Sequence, residues 1–280
     1  MSGALRLIVN ADDFGMTEDV NRGILEAHDR GIVTSASLMA TGPAFEHAVA
    51  LAKTRPTLDV GVHLTLTEQR PLTGAAAASL VGPDGRFPPH LMQFAGRHLR
   101  GKVALAQVRT ELDAQIRKVR DAGIAVSHLD GHQHVHVLPG IAAIVAELAA
   151  KYGIGAVRYP AERVSTYMLR NLHNLRRLAE QVVLGMVCAL SPLKALRRSD
   201  AFVGFYFGGR LDEANLATVL GRLPARGTVE LMCHPGGDDS RAAEGYWQYS
   251  WSAERAALTS PRIRALVASR GAQLVSYRDV

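Results

Sequence analysis

Between residues 128 and 136 the chain reads His128-Leu129-Asp130-Gly131-His132-Gln133-His134-Val135-His136, four histidines and an aspartate in near alternation. Imidazole nitrogen and carboxylate oxygen together suit zinc and other first-row divalent ions. Three such protein ligands with an open position mark a catalytic rather than a structural site. If the chain stays extended here, alternate residues share a face, so His128, Asp130, His132 and His134 point the same way. Other residues with chemistry stand at a distance: Asp12-Asp13 after an apolar run, His63 in Gly61-Val62-His63, Arg158, and Cys233-His234-Pro235. Each also has an ordinary structural reading. Paired aspartates start turns and cap helices, a lone histidine on an apolar strand is commonly a satisfied core residue, and Arg158 serves equally in substrate binding, in neutralising Asp12, or in a structural ion pair.

These residues come together only if the intervening elements bring them to one edge. Short β-branched runs at 5–9, 34–39, 58–63, 126–130, 156–159, 202–205, 229–233 and 273–276 alternate with helical patterns at 17–29, 44–53, 103–122, 141–151, 212–223 and 253–269. That alternation signals βα units on a parallel sheet. The spacing predicts a single α/β domain over 1–280, a distorted (β/α) barrel of seven or eight mainly parallel strands, with an open doubly wound sheet as the alternative. In either, the carboxyl ends of the strands form the site, and the candidates above lie toward the end of a strand or follow one. Two connections, near 66–102 and 163–201, exceed simple turns and are expected to cover or shape that site.

Composition narrows the class. With 48% hydrophobic and 21% charged residues over 280 positions the chain reads as globular. Eight Lys or Arg against two acidic residues between 158 and 198 account for the whole +6 formal charge. No basic run is interleaved with stacking aromatics, so a local basic patch is expected and no nucleic-acid partner. The two cysteines, Cys188 and Cys233, cannot build a disulfide framework or a cysteine zinc site. The first residues lack a secretory leader pattern, and the apolar run 182–190 falls well short of the roughly 20 residues a spanning helix needs. A cytoplasmic location is expected, with homo-oligomerisation left open.

Taken in order, Asn10-Ala11-Asp12-Asp13-Phe14-Gly15, Gly31-Ile32-Val33-Thr34-Ser35, Gly61-Val62-His63-Leu64, His128-Leu129-Asp130-Gly131-His132, Met232-Cys233-His234-Pro235 and Ser276-Tyr277-Arg278-Asp279-Val280 resemble the blocks of the YdjC-like carbohydrate deacetylases. The resemblance spans nearly the whole chain. It implies a metal-dependent N-deacetylase that removes acetate from an N-acetylglucosamine-containing substrate. One divalent metal ion, zinc or magnesium, would be held by Asp13, His63 and His132, with Asp12 as base. His234, at a strand end on the same edge, is the candidate acid that protonates the leaving nitrogen, with a structural histidine before Pro235 as the alternative. Asp130, His134 and Arg158 are expected to bind substrate or support the ligands, and His134 stays open as a ligand. The family often has Ser and His where this chain has Gly131 and Gln133.

The 163–201 insertion departs from the chitooligosaccharide enzymes and is more similar to the hopanoid-biosynthesis-associated branch, whose implied substrate is an N-acetylglucosaminyl lipid. Leu172, Leu175, Leu178, Val182, Met186 and Leu190 recur at helical spacing, with Arg170, Arg176, Arg177, Arg197 and Arg198 around them. That pattern fits a helix lying on the inner face of a membrane, and equally an amphipathic helix packed on the barrel. Three other functions share the same ligands: a chitooligosaccharide deacetylase, a hydrolase of another amide or a phosphate ester, and a metal-containing carbohydrate-binding protein.

Overall fold

The computed structural model describes residues 4–170, 174–237 and 249–280. Eight strands, β1 (Leu5–Phe14), β2 (Ser35–Leu38), β3 (Asp59–Leu64), β4 (His128–Gly131), β5 (Ala156–Val157), β6 (Ala201–Val203), β7 (Gly227–Cys233) and β8 (Gln273–Val275), form one sheet in the order β5-β4-β3-β2-β1-β7-β6. All its pairings are parallel; β8 pairs with residues 6–8 of β1, and β2 with residues 10–14. Isolated parallel bridges Ala156–Arg197 and Glu162–Phe202 link the two ends of the sheet. The result is a distorted α/β barrel, as the alternation predicts, rather than an open doubly wound sheet.

β1 is the axis of the fold because it is apolar enough to be covered on both faces, as central parallel strands are. Leu5 and Leu7 to Val9 are all buried, and Leu7, Val9, Ala36, Leu38, Val60, Val62, Leu129, Val229 and Leu231 continue the core across the sheet. Helices α1 (Glu18–Asp29), α2 (Phe45–Lys53), α4 (Leu105–Asp121), α5 (Ile141–Tyr152) and α8 (Glu213–Leu220) lie where their periodicity predicts them. Thr17 caps α1 by accepting from the Val20 N–H at 3.1 Å, with Glu18 and Asp19 in the positive first turn. The expected helix over 253–269 is two helices, α9 (Trp251–Thr259) and α10 (Pro261–Ser269): Pro261 cannot donate within a helix, so it begins a second one capped by Ser260.

Both insertions carry structure of their own. The first holds helix α3 (Leu91–Leu99), which the sequence pattern missed, and is tied to α4 by two buried side chains. Gln115 exchanges two 2.8 Å hydrogen bonds with the Thr65 backbone, and the Glu111 carboxylate accepts from the N–H groups of Leu72 and Thr73 at 3.0 Å. The second holds α6 (Thr166–Arg170) and α7 (Leu175–Leu190). Leu175, Val182, Val183, Met186 and Leu190 of α7 are exposed, whereas Gln181 and Cys188 are buried. Of the expected apolar stripe, Leu178 is half-buried and Leu172 lies outside the described residues. The stripe thus faces away from the barrel. Among the described residues no helix is long and apolar enough to cross a membrane.

Candidate metal centre

Parallel register sets the site. Asn10 pairs with Met232 and Ala11 with Cys233, while His63 pairs with Asp130, so Asp12, Asp13, His63, Asp130 and His234 collect at the carboxyl edge of the sheet. Asp13 lies where the register of β1 shifts, between Ala11 and Phe14, with a left-handed backbone, φ +66°, a conformation that costs a non-glycine residue roughly 1 kcal/mol or more. Its Oδ1 lies 2.8 Å from His132 Nδ1 and 3.4 Å from His63 Nε2. One ligand atom from each of Asp13, His63 and His132 falls within 4.8 Å of the others, and all three residues are buried. One carboxylate and two imidazoles in that compass fit a first-row divalent cation.

Asp12, His63 and Asp130 form a second such group, but the carboxylates of Asp12 and Asp130 are already committed. Asp12 receives both terminal nitrogens of Arg158, Nη1 to Oδ2 at 2.5 Å and Nη2 to Oδ1 at 2.6 Å, and the Asn10 side-chain amide at 2.9 Å. Asp130 Oδ1 lies 2.8 Å from His63 Nδ1, and its Oδ2 accepts from Ser37 Oγ at 2.7 Å and faces Arg158 Nη1 at 2.9 Å. An ionised carboxylate only accepts, so Asp130 makes His63 Nδ1 the donor and leaves Nε2 aimed at Asp13. This carboxylate–histidine pairing is the usual support of a metal-binding imidazole.

Arg158 is the counter-charge beneath the site. It has no exposed surface, and besides Asp12 and Asp130 it donates Nε to Glu230 at 2.6 Å. Of the three roles open to it, the ion pair with Asp12 is the one the geometry displays. Burial opposes its charge, but Asp12, Asp130 and Glu230 outweigh that and hold it well above the usual guanidinium range. Asp130 is held low against burial by Arg158 and His63. His63 is pulled down by burial but raised overall to about 9 by Asp130 and Asp12; His132, also buried, rises to about 10 beside Asp13. In the metal-free protein these rings thus carry protons where a cation would otherwise balance the acids.

The shared face expected over 128–134 does not form. β4 ends at Gly131, and residues 132–137 make a tight turn in which Gln133 (φ +53°) and His134 (φ +58°) are left-handed. His132 therefore swings to Asp13, while His134 packs against Phe202 and Phe205, at ring separations of 5.9 and 5.5 Å, and belongs to neither donor group. Burial holds His134 well below the usual imidazole range. His128 stacks on Tyr277 at 3.8 Å and burial lowers it to about 4. Its ring occupies the space a side chain at Gly61 would need, since a Cβ there would lie 2.4 Å from it. His136 accepts nothing from the site and lies 3.1 Å from the Arg158 carbonyl. The terminal block is thus explained as packing: Tyr277 covers His128, and Arg278 N–H donates to Asp59 at 3.2 Å.

His234 is buried at the β7 edge, its backbone N–H donating to Glu254 at 2.6 Å. Its ring lies against Tyr249 at 4.7 Å, and its Nδ1 has no hydrogen-bond partner among the described residues. Cys233 is turned away, its thiol 3.4 Å from the Asn10 carbonyl, and burial pushes it up. From the second insertion, Arg177 lies over the Phe205 ring at 4.7 Å and donates to the Gly208 carbonyl at 3.4 Å. Sequence reasoning passes over Asn10, Ser37, Glu68 and Glu230. Only Glu230 carries a signal, an acid inside an apolar strand; the polar side chains on β1 and β2 look like ordinary strand residues. Glu68, whose Oε1 is 3.4 Å from His132 Nε2, sits in an aperiodic loop.

A model of the YdjC-like protein family matches residues 6–269. A carbohydrate deacetylase of Mus musculus is 40% identical, with 99% of this chain and 95% of the relative aligned. One of Geobacillus stearothermophilus is 37% identical over 97% and 96%. A solved Enterococcus faecalis structure, described as that of a proposed cellobiose-phosphate cleavage protein, superposes with a TM-score of 0.81 at 29% identity over 99% of both chains.

Proposed function

Because the chain belongs to the YdjC-like protein family, we propose that it is a carbohydrate N-deacetylase, a hydrolase of the acetamide C–N bond of an N-acetylated sugar. The observation that carries this reading is the buried Asp13–His63–His132 donor set beside an aspartate that is not needed as a ligand. A divalent ion bound there supplies Lewis acidity to the amide carbonyl and to a nucleophilic water. Two imidazoles favour zinc over magnesium, which prefers oxygen ligands. Asp12 takes the proton of the attacking water, and Arg158 fixes the direction of its carboxylate. His234 gives a proton to the nitrogen as the C–N bond breaks. Asp130 holds His63 in the ligating tautomer, so Asp130 and Arg158 act through other residues, and His134 helps shape the substrate side with Phe205.

Exposed apolar residues along α7 favour a second, finer reading in which the sugar is lipid-linked, such as an N-acetylglucosaminyl hopanoid, and α7 touches an anionic membrane surface. Arg176, at 90% side-chain exposure, lies on the same helix. The test is mass spectrometry of N-acetylglucosaminyl lipids and chitooligosaccharides incubated with zinc-loaded protein. Loss of one acetyl group and release of acetate are expected, and no release from any N-acetylated sugar contradicts the deacetylase reading. Co-sedimentation with anionic vesicles at low salt, weakened by Arg176→Glu, tests the membrane contact; failure of the intact protein to bind removes that part alone.

A further inference from the structure

Among the described residues, the non-glycine positions with left-handed backbone are Asp13, Glu68, Gln133 and His134. Three of these gather around His132. Asp13 faces its Nδ1 at 2.8 Å, Glu68 faces its Nε2 at 3.4 Å, and the Gln133 amide nitrogen donates to Glu68 Oε1 at 2.8 Å. Strained backbone persists only where the surroundings over-determine it, and Glu68 is so held. The segment before it is pinned by Gln115 through Thr65, the segment after it by Glu111 through Leu72 and Thr73, and its own N–H donates to the Pro88 carbonyl at 3.0 Å. Gln133 closes the ring by accepting from the Leu91 N–H at 2.6 Å. Loop 66–102 is thereby moored to the turn that carries His132.

Resting on the metal-dependent reading above, we infer that Glu68 is a positioning residue for His132: its carboxylate accepts from Nε2–H and so holds Nδ1 toward Asp13 as the ligating atom. The arrangement mirrors the other imidazole with the nitrogens exchanged. Asp130 lies 2.8 Å from His63 Nδ1 and leaves Nε2; Glu68 faces His132 Nε2 at 3.4 Å, the nitrogen turned away from Asp13. A metal-binding histidine is normally steered by such an acceptor on its other nitrogen, and loss of that acceptor costs about 10–100-fold in metal affinity.

The test measures zinc affinity by competition with a chromophoric chelator for the intact protein and for Glu68→Gln and Glu68→Gly, with thermal melting of each metal-free protein alongside. Glu68→Gly should bind zinc about 10–100-fold more weakly yet melt close to the intact protein, because relief of the left-handed backbone offsets the lost hydrogen bond from Gln133. Glu68→Gln, which keeps an acceptor oxygen without charge, should fall between the two. The visible spectrum of the cobalt(II) form should shift in Glu68→Gly as the His132 ring loses its orientation. Unchanged affinity in both variants overturns the inference while leaving the metal site standing. Complete loss of binding in Glu68→Gln overturns it too, by making Glu68 a ligand. No zinc binding by the intact protein removes the metal reading itself, and this inference with it.

Discussion

The site has two halves built in different ways. Asp12, His63, Asp130 and Arg158 stand on or directly after regular strands, and their side chains are locked by short bonds to one another. Asp13, Glu68 and Gln133 stand on left-handed backbone around His132, at the edge of a strand, a loop and a turn. The regular half holds charge in place, with one buried guanidinium against three carboxylates, while the irregular half brings Asp13 and His132 to the point that His63 Nε2 reaches from its strand. Left-handed backbone turns Asp13 out of the alternation that the pleat imposes on a straight strand, whereas His63 reaches the same point within that alternation.

Removing the proposed proton acceptor of the regular half should have the largest effect. Asp12→Asn is expected to lower acetate release by about 10²–10⁴-fold, the usual worth of a general base, with bound metal retained by elemental analysis. Metal lost together with activity would move Asp12 among the ligands and merge the two halves. Next is Arg158→Gln, which leaves Asp12, Asp130 and Glu230 buried without their counter-charge and should cost about 3–5 kcal/mol in urea denaturation. A loss under about 1 kcal/mol, the range of exposed pairs, would show that the acids do not depend on it.

The donor set, which takes His63 from the regular half and Asp13 and His132 from the irregular one, is sharpened by pH. His63 at about 9 and His132 at about 10 both hold a proton at neutral pH that a metal must displace. Since the protonated forms dominate below those values, zinc affinity should rise with pH, by up to about 100-fold per unit if two protons leave, and level off above them. Affinity that is flat through neutral pH, or falls, would contradict the assignment of both rings. The smallest effect is expected from His234→Ala, about 10²-fold in kcat, the low end for a general acid, with KM little changed, as for a group acting in the transition state. Unchanged kcat would return His234 to a structural role against Tyr249 and Glu254.

The same division decides what could be read without coordinates. Strands β1, β3 and β7 announce themselves as apolar runs and β2 and β4 by their place in the alternation with helices, and a parallel sheet then brings their carboxyl ends to one edge, so the neighbourhood of Asp12, Asp13, His63, Asp130 and His234 is legible. Choosing Asp13 over Asp12 as ligand rests on the family resemblance, because nothing in the order of two adjacent aspartates tells which turns left-handed toward the histidines and which is taken by Arg158. The reading of 128–134 as one extended face fails at Gly131 for a related reason: nothing in the pattern of alternating histidines signals that the backbone turns left-handed at Gln133 and His134. Glu68 is invisible for want of any periodicity in its loop, and α7 is legible as an apolar helix but not as one turned outward.

The most direct test of the central claim is to strip the protein with a chelator, return zinc in steps, and follow bound metal and acetate release from an N-acetylglucosamine substrate together, in the intact protein and in Asp13→Ala. Activity is expected to be lost on stripping and to return in proportion to one bound ion in the intact protein, while Asp13→Ala binds far more weakly and stays inactive. Full acetate release by the stripped protein, or by Asp13→Ala without bound metal, would contradict it.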